Sequence, residues 1–176
     1  GKNYVERTII KALKNEIAIY AIHTNLDNVI HGVSQKMADK LGLINTKVLS
    51  PIAGKLKSLI TFSPPSHTEK VREALFDAGA GNIGKYSECS FVVNGTGSFR
   101  PEPESDPFSG EKGKQNKEDE DRIEVIFPSY LTQQILKSLK DHHPYEEVAV
   151  YVTTLDNQWQ EAGSGIVGEF SNEMNE

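Results

Sequence analysis

Apolar positions recur along this chain in two rhythms, one helical and one strand-like. In residues 4–14, Val5, Ile9 and Leu13 return every fourth residue, which marks one face of an amphipathic helix. Residues 17–22, Ile-Ala-Ile-Tyr-Ala-Ile, are apolar almost without a break, and predict a strand covered on both faces, as in parallel α/β layers. Residues 28–41 carry Val29, Val33, Met37 and Leu41 on one helical face, with Gly42 placed to stop the helix at a C-cap. A short strand is expected over 46–49. Helix, strand, helix, strand of this kind is a piece of an α/β layer whose strands are too few to stand alone.

A joint is expected over 50–55, and beyond it the grammar changes. Residues 56–62 read as a strand. Ser66 and Glu69 have capping-box spacing before a helix with Val71, Ala74, Leu75 and Ala78 as its apolar stripe, ended by Gly79 and Gly81. Strands are expected over 90–93, 123–127 and 148–154, with a helix over 129–140 that turns Leu131, Ile135 and Leu139 inward. Strand–helix–strand twice over is the ferredoxin-like βαββαβ arrangement, so the fold class is α+β. Between the second and third of these strands, residues 94–121 form an unusually long connection. Its Gly95-Thr-Gly-Ser-Phe99 start offers N–H groups that could cradle an anion, although a turn or hairpin is the commoner use of such a run. Residues 111–121 contain nothing apolar and are expected to be solvated and mobile.

Composition narrows the function. With 176 residues and 37% hydrophobic content the chain can bury a core as one or two domains. No run approaches the ~18 apolar residues of a membrane-spanning helix, and no signal peptide is evident. A net charge of −6 with scattered Lys and Arg argues against nucleic acid as partner. The single cysteine, Cys89, excludes an internal disulfide, reads as a small buried side chain and fits a cytoplasmic location.

The chemistry-bearing run is His23-Thr-Asn-Leu-Asp27, at the carboxyl end of the expected 17–22 strand, where α/β sheets collect ligands and metals. His23 and Asp27 could ligate a metal or act as base and orienter, whereas Thr24 or Asp27 used as a helix cap is the simpler reading of the spacing. His142, His143 and Pro144 close a helix; His143, Tyr145, Glu146 and Glu147 could form a polar pocket at the head of the last strand, with strand entry and subunit contact the commoner role. His31 and His67 are expected on the surface, and Tyr86 and Phe91 in the core or an interface.

Residues 23–27 resemble the HTNLD signature of the NIF-three-like family (NGG-one-interacting factor three, also known as GTP cyclohydrolase I type 2 homologues). GKYSECSF at 84–91, GTGSFRP at 95–101 and HPYEE at 143–147 resemble, in order, motifs of the insert domain of its longer members, and GSGIVG at 163–168 resembles the return to the family core. The resemblance implies a CutA/PII-like ferredoxin-like insert over 56–156 on a partial α/β core, residues 1–55, with 157–176 as the return segment. It implies, for a complete protein, a dinuclear site of divalent metal ions (zinc or iron/manganese) and metal-dependent hydrolysis of an unknown small-molecule substrate. The family's metal ligands are two adjacent histidines before HTNLD, the Asp of HTNLD, and a His and a Glu near the end. Of these the chain carries Asp27 as metal ligand, with His23 as the catalytic orienter or proton carrier. His142-His143-Pro144 lies in the wrong place to be the family's histidine pair. The chain alone is therefore expected to retain no metal and to be inactive, being either a fragment or a reduced member; Gly1 in place of Met favours the former. Nothing resembles a guanine-reading site or a P-loop. The alternative is a non-catalytic oligomerisation or small-ligand-binding module, and the likeness to trimeric CutA-type domains implies a trimer-based homo-oligomer.

Overall fold

Alternation of buried and half-buried residues begins at Leu56 and organises the larger of two compact units, residues 51–159. The computed structural model describes residues 1–159 and 161–172. The larger unit contains strand β2 (Leu56–Ser63), helix α3 (Thr68–Asp77), strands β3 (Phe91–Phe99) and β4 (Asn116–Pro128), helix α4 (Thr132–His142) and strand β5 (Val150–Leu155); helices α1 (Tyr4–Lys14) and α2 (Val33–Leu41) and strand β1 (Ile44–Pro51) precede it, and β6 (Gly163–Glu169) follows. The strand order β3-β4-β2-β5, with every neighbouring pair antiparallel, is the ferredoxin-like topology expected from the sequence. The fold class is α+β.

One sheet face and the two helices supply the core. Leu59 from β2, Ile123, Val125 and Phe127 from β4, Val71 and Leu75 from α3, and Ile135 and Leu139 from α4 are all at most 2% exposed. Burying each of the larger side chains stabilises by about 1.5–3 kcal/mol. Pairing Leu59 with both Val125 and Val152 puts the apolar residues of three strands in line on that face. Asp121 ties the sheet to the start of α3, accepting from the Thr68 hydroxyl at 2.7 Å and the Asn94 amide at 3.0 Å. The helix start differs from expectation: a single 3-10 turn, Pro65–His67, precedes Thr68, and the Ser66 hydroxyl turns to the His67 ring at 3.0 Å instead of capping.

The long connection is much shorter than its sequence suggests. Gly95 and Gly97 lie inside β3, opposite Glu120 and Glu118, so they do not form an anion-cradling loop. Residues 116–121, expected to be solvated and mobile, are the first half of a 13-residue strand. Backbone pairing with β3 outweighs the polar composition here, because Glu118 and Glu120 need only partial burial while Lys117 and Asp119 stay exposed.

The smaller unit is formed by residues 1–50 with 161–172. Helix α1 has the expected bounds, and the Asn3 side chain accepts the Glu6 N–H at 2.9 Å as an N-cap. Residues 17–22 are not a strand. A strand needs a ladder partner for its N–H and C=O groups; none of the described residues forms a ladder with this segment, whose Ile17 N–H turns back to the Ala12 carbonyl at 2.9 Å, and Ile17, Ile19 and Tyr20 are 60%, 65% and 83% exposed. Helix α2 starts later than expected, because Val29 is extended and bridges to Ala162 while the Ile30 N–H donates to the Glu161 carbonyl at 3.1 Å. It ends as expected, with Gly42 left-handed at φ 74°. β1 and β6 form a two-stranded sheet.

Candidate functional site

Local geometry places His23 and Asp27 at the two ends of one short segment. Residues His23–Asn28 form a 3-10 helix, entered at His23 with φ 46°, a left-handed backbone that a β-carbon disfavours. Both side chains are exposed, and the His23 Nδ1 lies 3.4 Å from the Thr24 hydroxyl. No side-chain cap bond is made at the start of α2, whose N-cap is Gly32, so neither Thr24 nor Asp27 serves the capping role. The turn is instead fixed from its far end. The Asn28 amide donates to the Thr24 carbonyl at 3.0 Å, and the Asn28 Oδ1 accepts from the Ser164 hydroxyl at 2.8 Å. Gly32 lets the chain fold back, since a β-carbon there would sit 1.8 Å from the Leu26 carbonyl oxygen.

The donor set at this turn is, among the described residues, too small for a metal centre. Among the described residues, no group of three or more His, Cys, Asp or Glu side chains converges in a way that could hold a metal ion. Structural zinc sites use four protein ligands and catalytic ones three. Asp27 and His23 thus make at most part of such a site.

A second polar constellation lies within the larger unit. His143 is 8% exposed; its Nε2 donates to the Phe62 carbonyl at 2.8 Å and its Nδ1 accepts the Tyr145 N–H at 3.1 Å. Both bonds need the neutral ring with hydrogen on Nε2. Burial lowers the pKa of His143 below 6.5, against the raising influence of the Phe62 carbonyl bond and the Glu120 charge. The Tyr145 hydroxyl donates to Glu120 Oε1 at 2.9 Å, and its own pKa is raised by burial, by that bond, and by the charges of Glu120 and Glu118. Beside Tyr145 opens a cavity of about 330 Å³, also bordered by Phe99, Phe108, Glu120, Glu146 and Glu147. Glu146 accepts the Asp106 N–H at 2.7 Å and so fastens the loop before β4.

The sequence singled out His143, Tyr145, Glu146 and Glu147, and the structure brings them to one place. It did not single out Glu120, Phe99 or Phe108, which join them. The available signal was Gly97 in a strand. A β-carbon at 97 would lie 2.0 Å from Glu120 Oε2, so that glycine makes room for a carboxylate against the sheet. His67, expected on the surface, is half-buried with its ring edge-on to Phe108 at 5.6 Å. His142 is exposed, with Nδ1 2.9 Å from the Ser138 carbonyl, and His31 is exposed as expected.

The model of the Duf34/NIF3 (NGG1p interacting factor 3) family matches residues 1–176. The chain belongs to that family. A Bacillus subtilis relative named GTP cyclohydrolase 1 type 2 homolog is 43% identical over 169 residues, which are 96% of this chain and 45% of the relative. A Listeria monocytogenes relative of the same name is 42% identical over 92% of this chain and 44% of its own length. The crystal structure of a Bacillus cereus protein related to NIF3 matches with 45% identity and a TM-score of 0.79, over 96% of this chain and 44% of that one. The chain thus spans less than half the length of these relatives. None of the described helices is long and apolar enough to cross a membrane.

Proposed function

We propose that this Duf34/NIF3 chain is the segment of a cytoplasmic metal-dependent hydrolase that presents Asp27 as one metal ligand and His23 as a neighbouring proton carrier or orienter. The observation that carries the reading is the 3-10 turn His23–Asn28. Both side chains stand exposed on it, unused as caps, and the Asn28–Ser164 bond secures it. The missing donors would come from outside the described residues, and the substrate would be a small molecule. In the complete protein, Asp27→Ala should lower bound zinc, iron or manganese by at least half after dialysis. The 176-residue chain alone should retain well under one equivalent. Unchanged metal content in the Asp27→Ala protein, or stoichiometric retention by the chain alone, would sink the reading.

A second reading concerns the ferredoxin-like unit, which we propose assembles copies of the chain into a trimer-based homo-oligomer. Its support is the sheet face opposite the helices, where Phe91, Val93 and Tyr151 are 64%, 44% and 56% exposed. Edge strand β5 has no charged residue to discourage pairing.

A further inference from the structure

We propose that the cavity beside Tyr145 is a binding site for a small organic cation of the alkylammonium class. Its volume, about 330 Å³, falls in the range of small-molecule pockets. Its walls combine two features that such an ion requires. Phe99, Phe108 and Tyr145 offer aromatic surface, and Glu120, Glu146 and Glu147 offer negative charge. An alkylammonium ion has an apolar shell that rings can cover and a diffuse positive charge that ring faces attract.

The rings and the central carboxylate are held in place. Phe108 packs between the His67 ring at 5.6 Å and the Tyr145 ring at 5.7 Å. Tyr145 in turn meets the His143 ring at 4.9 Å and donates its hydroxyl to Glu120. Glu120 is half-buried, and the absence of a side chain at Gly97 is what allows its carboxylate to lie flat on the sheet. The Glu146 bond to the Asp106 N–H fixes the loop that brings Phe108 over the cavity.

Charge selects against other occupants. No Lys or Arg is among the described residues that line the cavity, so phosphate or a carboxylic acid would face three glutamates without a counter-charge. A bare metal ion is equally unsuited: no three donors converge among the described residues, and a hydrated ion gains little from aromatic walls. A compact cation with alkyl groups meets both the rings and the charge. This site is separate in sequence and chemistry from the His23–Asp27 turn, so its failure would leave the hydrolase reading untouched.

The test is a proton NMR titration of the 176-residue chain with choline, with its neutral carbon isostere dimethylbutanol, and with inorganic phosphate. Choline should give saturable shifts with a Kd of about a millimolar or tighter, and dimethylbutanol should bind at least about tenfold more weakly. Glu120→Gln and Phe108→Ala should each weaken choline binding by about tenfold. Glu147→Gln, an exposed change that leaves folding intact, should weaken it by about threefold and reduce its sensitivity to salt. Equal binding of choline and dimethylbutanol would show an apolar pocket without charge recognition and overturn the proposal. Phosphate binding in preference to choline would do the same, as would no choline binding up to about 50 mM or affinity unchanged in all three variants.

Discussion

Acidification should destabilise the ferredoxin-like unit through one side chain, His143. Its two ring nitrogens have opposite duties: Nε2 donates to the Phe62 carbonyl at 2.8 Å and Nδ1 accepts the Tyr145 N–H at 3.1 Å. A second proton must go onto Nδ1, where it would confront an N–H with another donor. The cost of leaving such a buried group unpaired is about 1–3 kcal/mol, partly offset by a stronger Nε2 bond from the charged ring and by the Glu120 charge. Burial of the ring lowers the folded pKa, and the sign follows. Above 6.5, the ordinary value, the ring is neutral folded or unfolded and its contribution is complete; as pH falls from there towards the folded pKa, the unfolded chain binds the extra proton and stability is lost. One proton gives a slope of at most about 1.4 kcal/mol per pH unit. Urea unfolding between about pH 7.5 and 5, followed by far-ultraviolet circular dichroism, measures that slope. The comparison is with His143→Gln, whose amide still donates to Phe62 but cannot titrate. The natural chain should lose about 1–2 kcal/mol more than the variant across the interval. Parallel pH profiles would refute the assignment of a neutral, doubly bonded ring.

Gly97→Ala pushes a β-carbon into Glu120 Oε2, so the carboxylate should swing off Tyr145 at a cost of about 1–2 kcal/mol in thermal or urea unfolding. Glu120→Ala loses the same bond, so the double variant Gly97→Ala/Glu120→Ala should be about as stable as Glu120→Ala alone, and strict additivity would count against the contact. Gly32→Ala meets a backbone oxygen that cannot move aside, so amide exchange should accelerate across residues 23–32; unchanged protection would show that the turn tolerates a side chain. Tyr151→Lys should convert an oligomer to monomers in light scattering while leaving circular dichroism unchanged, because Tyr151 is exposed on the open sheet face. Its neighbour Val150 packs against the core, so Val150→Lys should unfold the unit instead.

Periodicity served the larger unit well because its apolar residues meet one another within the chain. Val71, Leu75, Ile135 and Leu139 recur on helical faces and end in one core. The same method overreached at residues 17–22, where apolar content says what a segment should bury but not what covers it. Ile17, Ile19 and Tyr20 find no ladder partner among the described residues, and the chain spans only 45% of the Bacillus subtilis relative. It fell short at residues 116–121, where a charged run became a strand. A partner with Gly95 and Gly97 asks little of the side chains opposite and supplies a full ladder of backbone bonds. Strand pairing is a property of two segments, and no pattern within one of them reveals it.

The sites divide in the same way. The His23–Asp27 turn was legible as a short contiguous run, and its secure end comes from Ser164, far along the chain but inside a recognisable motif. The cavity was only half legible. Tyr145, Glu146 and Glu147 adjoin one another, whereas Glu120 reaches them through the register of β4. That register places Glu120 opposite Gly95 on β3, and a side chain in place of hydrogen at Gly97 would obstruct its carboxylate. The glycine pair, for which a turn is the expected use and an anion cradle the lesser one, lies in a strand, and Gly97 there makes room for negative charge. The missing β-carbon of Gly97 admits the Glu120 carboxylate, whereas one at Gly95 would meet open space. Replacing Glu120 by Lys would test its part directly: an ammonium cannot accept the Tyr145 hydrogen bond, and with two glutamates left against one lysine the preference for choline over dimethylbutanol should fall by about tenfold. A cavity that kept its preference for choline after that substitution would owe its selectivity to Glu146 and Glu147, and Glu120 would be left with the structural task of holding Tyr145.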